Sequence, residues 1–374
     1  MSRRLSILLA DDHPAVLEGL SKKRFLLVDA LRGIAAMSVV VFHLVQGHHI
    51  DLFLGGSPTW LTVILEHCHL GVAIFFVLSG FVIAHSLYGK DVTLSLAGRF
   101  MLRRSLRLDP PYWIAIVLTI GFGFMSAHFV AGKALPVVTA PQIVAHMFYL
   151  QGILGYPYIS DVFWTLCLEL QFYLVYVFLL LGGGKHPGVM LVTAGIISVA
   201  WPIGLLSGDV WQALFLPLWH CFLVGSVVYW AWRKPSLMPF CGLFIAVIAA
   251  SAAYHGNWFS LVCAATALIL LLSVITNQIF SMMRWRLLQV LGAVSYSLYL
   301  SHNFVTGASF RVGYLLTGET IATEIMWSVI TIAVCVAVAY AIWRWVELSS
   351  IALSHLVKLD NRPDRSVLVK EARA

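Results

Sequence analysis

Long apolar stretches alternate with short polar segments along almost the whole chain. Each stretch holds about 20 mostly apolar residues, the length that a helix needs to cross the hydrocarbon core of a bilayer. The stretches number about ten by this criterion, and they are centred near residues 35, 78, 121, 172, 197, 221, 247, 267, 299 and 336. The pattern predicts an all-α, polytopic membrane protein with about ten transmembrane helices.

The basic residues fall almost entirely in every second polar segment. If the chain crosses the membrane about ten times, nearly all of the 24 Lys and Arg residues lie on one side, the exceptions being Arg32, Lys133 and Arg311. Short cytoplasmic loops collect Lys and Arg, so we expect both termini to be cytoplasmic. This favours a multi-pass membrane protein with its basic segments in the cytoplasm.

The same pattern divides the chain into three parts. Residues 1–23 form a cytoplasmic extension that we do not expect to fold alone, 24–348 form one membrane domain, and 349–374 form a cytoplasmic tail. The extension resembles the opening of a receiver domain, but the chain enters the membrane too early to complete one. We therefore expect no phosphotransfer there.

The composition indicates that the lipid bilayer is the main partner of this chain. Of the 374 residues, 60% are hydrophobic and 11% charged, and the mean hydropathy is +0.89. Soluble domains carry about 25% charged residues. The net charge of +7 follows from topology and gives no reason to expect a nucleic-acid partner, because basic residues punctuate apolar spans instead of covering a surface. The six cysteines show no C-x-x-C spacing, so we expect neither a zinc site nor disulfides.

Ionisable residues inside the first span are the first candidates for chemistry, since a charged group at bilayer depth is costly and tends to be functional. Arg32 and His43 are separated by three helical turns plus about 20°, so they share one face, about 16 Å apart along the axis. Asp29 lies close enough in sequence to pair with Arg32. The structural alternative is an arginine that reaches the interface and a histidine bonded to another helix.

Later spans carry further polar residues. Arg104 and Arg107 lie on one face at the mouth of the third span, where they could bind phosphates or act only as a topology signal. Glu169 has no basic residue in its own span, which makes His43 and Arg32 its natural partners. The remaining polar positions, which could equally serve helix packing, are Ser79, Tyr173, Ser295, Tyr299 and His302.

Taken together, these motifs resemble the acyltransferase-3 family of bacterial membrane O-acyltransferases. The resemblance runs from about residue 24 to 348 and rests on Arg32-x10-His43, "FFVLSGF", Arg104-x-x-Arg107, "FWTLCLELQFYLVY" and "LGAVSYSLYLSH". The segment "WRWVELSS" departs from the family pattern, which often has a proline shortly after the glutamate, so the role of Glu347 stays open. Because the residues after the spans do not resemble an SGNH hydrolase-like domain, we expect a stand-alone membrane enzyme or one with a separate partner.

The resemblance implies transfer of an acyl group, usually acetyl, from acyl-CoA to a hydroxyl of a cell-surface glycan. It implies acyl-CoA binding by Arg32, Arg104 and Arg107, and catalysis by His43 with Glu169. Ser79, Tyr173, Ser295, Tyr299 and His302 would line the polar track or the acceptor site. Acyl-CoA and the carbohydrate acceptor are then the small-molecule partners, with no tightly bound cofactor and no metal.

Several alternatives stay open at this level. His43 could act as a general base or carry a transient acyl group, the donor could be longer than acetyl, and the acceptor could be a surface polysaccharide, a lipopolysaccharide or a small glycoside. Buried Arg, Glu and His also suit a transporter or flippase, although no inverted repeat is visible. A cluster of potential ligands near one extracytoplasmic loop could hold zinc, but it lacks a recognisable spacing.

Overall fold

The computed structural model describes residues 24–129, 134–206 and 213–359, and these residues form helices and connecting turns with no strand among them. The receiver-like extension lies outside the described residues, as does the tail after residue 359. The helices of the first half are α1 Leu26–Gln46, α2 Asp51–Gly55, α3 Thr59–Glu66, α4 Gly71–Leu87, α5 Leu94–Phe129, α6 Ala140–Met147 and α7 Trp164–Gly183. Those of the second half are α8 Pro187–Ser198, α9 Trp219–Arg233, α10 Met238–His255, α11 Trp258–Ile275, α12 Arg286–Thr317, α13 Ile321–Ile342 and α14 Leu348–His355.

Among the described residues, 7 helical runs are long and apolar enough to cross a membrane. They correspond to α1, α3 with α4, α5, α7, α10, α11, and α13 with α14. The other three predicted spans are also helical but differ in character. Helix α8 has 12 residues, α9 has 15 and is almost completely buried by its neighbours, and α12 carries a row of polar side chains that lowers its hydropathy. The count of about ten therefore stays a prediction, whereas the multi-pass, all-helical architecture is confirmed.

Several helix ends meet at one end of the bundle. Phe25, just before α1, packs against His85 in the last turn of α4, Trp232 in α9 and Phe280 before α12, with ring centroids 4.9 to 6.2 Å apart. Arginines concentrate on the helix termini there, and we call this the basic end. It is defined by Arg24, Arg99, Arg233 and Arg286.

Glycines bring α1 and α12 into backbone contact. A Cβ atom on Gly33 would lie 2.8 Å from the backbone nitrogen of Gly292, and one on Gly292 would lie 2.1 Å from the carbonyl oxygen of Asp29. Small residues permit such close helix approach in membranes. Both helices begin at the basic end, so they run parallel, and this contact fixes their register.

A second close contact joins α4 to α9. A Cβ on Gly80 would lie 1.8 Å from the carbonyl oxygen of Phe222, and one on Gly225 would lie 1.9 Å from that of Val77. The ring of Phe222 stacks on Phe76 beside this contact, at 4.2 Å between centroids. The two helix pairs together give the bundle a rigid frame.

Two irregular helices lie beside the α1–α12 pair. Helix α5 contains Pro110 and Pro111, neither of which can donate a backbone hydrogen bond. The turn Trp343–Glu347 between α13 and α14 is a π-helix, a feature frequent at functional sites. The domain boundary expected at residue 348 falls inside this helical run, which continues to His355.

We predict that Gly292→Ala destabilises the protein, because its methyl group would collide with the α1 backbone. Overpacking of this kind costs roughly 1–3 kcal/mol. Gly307→Ala in the same helix is the matched control, because nothing lies within 4 Å of its Cβ position. Thermal unfolding of the purified variants in detergent should show a lower Tm for Gly292→Ala alone. An equal Tm for both variants would contradict the proposed register contact.

Candidate active site

Two buried histidines face each other where α1 and α12 pack together. Nδ1 of His43 lies 3.2 Å from Nε2 of His302, and the ring centroids are 4.7 Å apart. His302 is fully buried and His43 is 9% exposed. His43 follows Gly33 in α1 by the same number of residues as His302 follows Gly292 in α12. The parallel register of the two helices therefore places the two rings together.

The hydrogen bonds of this pair indicate which nitrogen of His43 is free. Nδ1 of His302 lies 3.1 Å from the carbonyl oxygen of Leu298, to which it donates, so its Nε2 must accept. Nδ1 of His43 lies 2.8 Å from the carbonyl oxygen of Val39 and donates to it and to His302. This tautomer, assigned from the network, leaves the lone pair on Nε2 of His43, as a general base requires.

Toward the basic end, three arginines gather around one carboxylate, and we call Arg32, Arg104 and Arg107 the arginine cluster. Arg32, Arg104 and Glu347 all act electrostatically on Arg107. Glu347 is 3% exposed and accepts a 2.6 Å hydrogen bond from Ser297. Because Glu169 also lines the cavity beside Arg104, an anion would bind this cluster through unpaired guanidinium N–H groups and not through a large excess of positive charge.

Two guanidinium atoms of this cluster have unused hydrogen-bonding capacity. Nη2 of Arg104 and Nε of Arg107 are buried and have no hydrogen-bond partner among the described residues. The guanidinium of Arg104 lies over the ring of Tyr173, 4.2 Å from its centroid, which fixes its orientation. Buried donors are normally satisfied, so these N–H groups are free to bind a ligand.

The expected pairing of Asp29 with Arg32 is wrong. Asp29 instead forms a salt bridge of 2.7 Å with Arg24, whose Nε also lies 3.1 Å from the same carboxylate oxygen. Arg24 precedes α1, and its Nε and Nη2 both donate to Asp29 in the first turn of that helix. Nε of Arg32 donates to the hydroxyl of Ser295 on α12 at 3.2 Å, so its guanidinium is not neutralised by Asp29.

Glu169 also has partners other than the expected ones. It accepts hydrogen bonds from the hydroxyls of Ser79 and Tyr173, and among the described residues it bonds to neither His43 nor Arg32. Ser79 faces it from the neighbouring helix α4, and Tyr173 lies one turn further along α7. The role expected for Glu169 as the partner of His43 therefore passes to His302.

Two cavities that share lining residues lie between Arg104 and Tyr299. The larger, about 400 Å³, lies mainly between α5 and α7, and its lining includes Arg104, Glu169, Tyr173 and Tyr296. The smaller, about 50 Å³, shares Glu169 and Tyr296 and extends to Tyr299. Glu169 lines both cavities, and the polar track itself stays a prediction.

The polar stripe predicted on α12 lies along this route and contacts different neighbours at each level. Ser295 bonds to Arg32, and the ring of Tyr299 lies 6.0 Å from that of His302. The stripe therefore links the arginine cluster to the histidine pair. Sequence reasoning had assigned His302 only to the lining of the track and left Glu347 without a role. The position of Glu347 in a π-helical turn is visible only in the structure.

The histidines between α1 and α4, which the sequence suggested as zinc ligands, have separate hydrogen-bond partners. Nδ1 of His48 lies 3.1 Å from Asp51, whereas His67 and His69 hydrogen-bond to backbone carbonyl oxygens. Among the described residues, no group of three or more His, Cys, Asp or Glu side chains could hold a metal ion. The zinc alternative has no support in this arrangement.

Comparison with known proteins decides the family. A family model described as an acyltransferase domain matches residues 26–344. The chain belongs to the acyltransferase-3 family. It is thus an acyltransferase, and the matched region contains both the arginine cluster and the histidine pair, which favours the enzyme over the transporter alternative.

Relatives of this acyltransferase include proteins from several bacteria. BcsY of Komagataeibacter xylinus, named as a membrane-bound transacylase, is 27% identical over 306 residues, or 74% of this chain and 71% of BcsY. YrhL of Bacillus subtilis, named as a peptidoglycan O-acetyltransferase, is 25% identical over 348 residues, 81% of this chain and 51% of YrhL. The peptidoglycan O-acetyltransferase OatA of Listeria monocytogenes is 27% identical over 197 residues, 48% of this chain and 29% of OatA. The chain thus spans about half or less of the length of the latter two. No solved structure matches it.

Proposed function

We propose that this acyltransferase moves an acetyl group from acetyl-CoA, bound at the basic end, to a hydroxyl of a cell-surface carbohydrate at the histidine pair. The observation that carries the proposal is the pair of cavities between Arg104 and Tyr299, whose ring lies 6.0 Å from that of His302. The named peptidoglycan O-acetyltransferases among the relatives support a carbohydrate acceptor. The positive-inside rule supports a cytoplasmic basic end in a bacterial inner membrane.

Donor binding would use the free guanidinium groups. CoA carries several phosphates, and arginine binds phosphate oxygens through charge-assisted, often bidentate, hydrogen bonds. The buried N–H groups of Arg104 and Arg107 are available for such bonds. Glu347 would keep Arg32 and Arg107 in place without neutralising the whole cluster.

The geometry between the two sites suits a long flexible donor. Arg32 and His43 lie about 16 Å apart along α1, and an extended phosphopantetheine arm bridges such a distance. The two cavities beside Glu169 would receive that arm, with its polar groups near Glu169 and Tyr296. The thioester would then arrive near Tyr299 and His302.

The transfer step uses the free lone pair of His43. Nε2 of His43 removes the proton from the acceptor hydroxyl while that oxygen attacks the thioester carbonyl carbon. The carbon–sulfur bond breaks, the ester forms, and the CoA thiolate leaves and takes the proton from the imidazolium. His302 holds the ring of His43 in the tautomer that this step needs.

We predict that Arg104→Ala and Arg107→Ala each weaken acetyl-CoA binding. A charge-assisted hydrogen bond is worth about 1.5–3 kcal/mol, which corresponds to a roughly ten- to hundred-fold rise in Kd. Arg311→Ala is the matched control, because this exposed arginine lies near the other end of α12. Isothermal titration calorimetry on purified protein gives the Kd values. Wild-type Kd in both cluster variants would overturn the donor site.

We predict that His43→Ala abolishes glycan acetylation while acetyl-CoA binding is retained. Loss of a general base typically costs 10²–10⁴-fold in rate. His302→Ala should lose less, because it removes only the group that orients His43, and His67→Ala should behave as wild type. Mass spectrometry of surface glycan from a deletion strain complemented with each variant measures the acetyl content. A well-expressed His43→Ala protein that acetylates normally would contradict the mechanism.

A further inference from the structure

A short segment before α7 is fastened to the turn of α12 that carries His302. Nδ2 of Asn303 lies 3.3 Å from the hydroxyl oxygen of Ser160, to which it donates, and the hydroxyl of Tyr299 donates to the carbonyl oxygen of Val162 at 3.1 Å. Asp161 lies between these two attachments. Ser160 and Val162 are buried, whereas Asp161 is exposed.

The same segment is held from its other side by α6. Nε2 of Gln142 donates to the carbonyl oxygen of Pro157 at 2.9 Å, and the backbone N–H of Ile159 donates to Nε2 of His146 at 3.0 Å. Both side chains of α6 are buried. Hydrogen bonds from α6 and from α12 therefore hold the segment that carries Asp161.

Asp161 has no hydrogen-bond or ion-pair partner among the described residues, although its backbone is held so firmly. It lies near the end of the bundle opposite to the basic end, where α7 begins. Both attachments of its neighbours are to residues within one turn of His302, which contacts His43. An ionised carboxylate only accepts hydrogen bonds, so its natural ligand here is a group rich in O–H or N–H donors.

We propose that Asp161 binds the acceptor by accepting hydrogen bonds from carbohydrate hydroxyls, and so holds the reactive hydroxyl at His43. This inference rests on the proposed function and identifies a substrate-binding residue on the acceptor side of the same site. Hydrogen bonds to a charged acceptor are about twice as strong as neutral ones. Because the backbone of Asp161 is already held, binding through its carboxylate has a smaller ordering cost than binding through a mobile loop.

The test compares Asp161→Asn, Asp161→Glu and Asp91→Asn with wild type. Asp91 is exposed at the basic end between α4 and α5, so Asp91→Asn removes the same charge away from the site. The acceptor probe is the glycan fraction extracted from a strain that lacks this gene, and the donor is labelled acetyl-CoA. We expect Asp161→Asn to raise the KM for the glycan about tenfold or more. The Kd for acetyl-CoA should not change, and Asp161→Glu should recover part of the affinity.

Two results would overturn the inference alone, given a wild-type enzyme that acetylates the glycan. One is an unchanged glycan KM in Asp161→Asn. The other is a fall in kcat with unchanged KM, which would mean that Asp161 acts through His43 and not on the acceptor. If wild type binds acetyl-CoA but does not acetylate the glycan, the proposed function fails, and this inference fails with it.

Discussion

The close backbone contact between α1 and α12 is the constraint on which the rest of the site depends. Gly33 and Gly292 let the two helices run parallel in van der Waals contact, and the histidines at 43 and 302 then meet at 3.2 Å. The same register brings Arg32 to Ser295. A sideways or lengthwise shift of either helix would separate both pairs together, so one packing contact positions the two stations of the proposed reaction.

The interior separates the arginine cluster from the histidine pair along the length of α1 and α12. Three guanidinium groups and Glu347 lie toward the basic end, whereas within the described part of the chain His43 and His302 have no arginine or lysine among their hydrogen-bond partners. Cations near His43 would oppose formation of the imidazolium that proton transfer requires. The separation would therefore let one protein bind a polyanionic donor and still use a neutral imidazole as a base, with the uncharged length of the donor spanning the distance.

Sequence reasoning predicted the all-helical, multi-pass architecture, and helical periodicity related the candidate residues within one span. It placed Arg32 and His43 on one face and grouped Ser295, Tyr299 and His302. It could not predict partners on different helices, since these depend on packing register. Glu169 accordingly pairs with Ser79 and Tyr173, and Asp29 with Arg24. Spans were also harder to count where burial inside the bundle, as for α9, removes the need for a full bilayer-length helix.

The sidedness of the reaction tests the central claim most directly. Right-side-out and inverted membrane vesicles that contain native acceptor would be given labelled acetyl-CoA from outside. Labelling of Cys68, the one partly exposed cysteine among those in the described residues, by a membrane-impermeant maleimide would report which end of the bundle faces outward. The account predicts that glycan is labelled when the basic end faces the added acetyl-CoA. Equal labelling of glycan when the Cys68 end faces it would contradict a donor site at the arginine cluster.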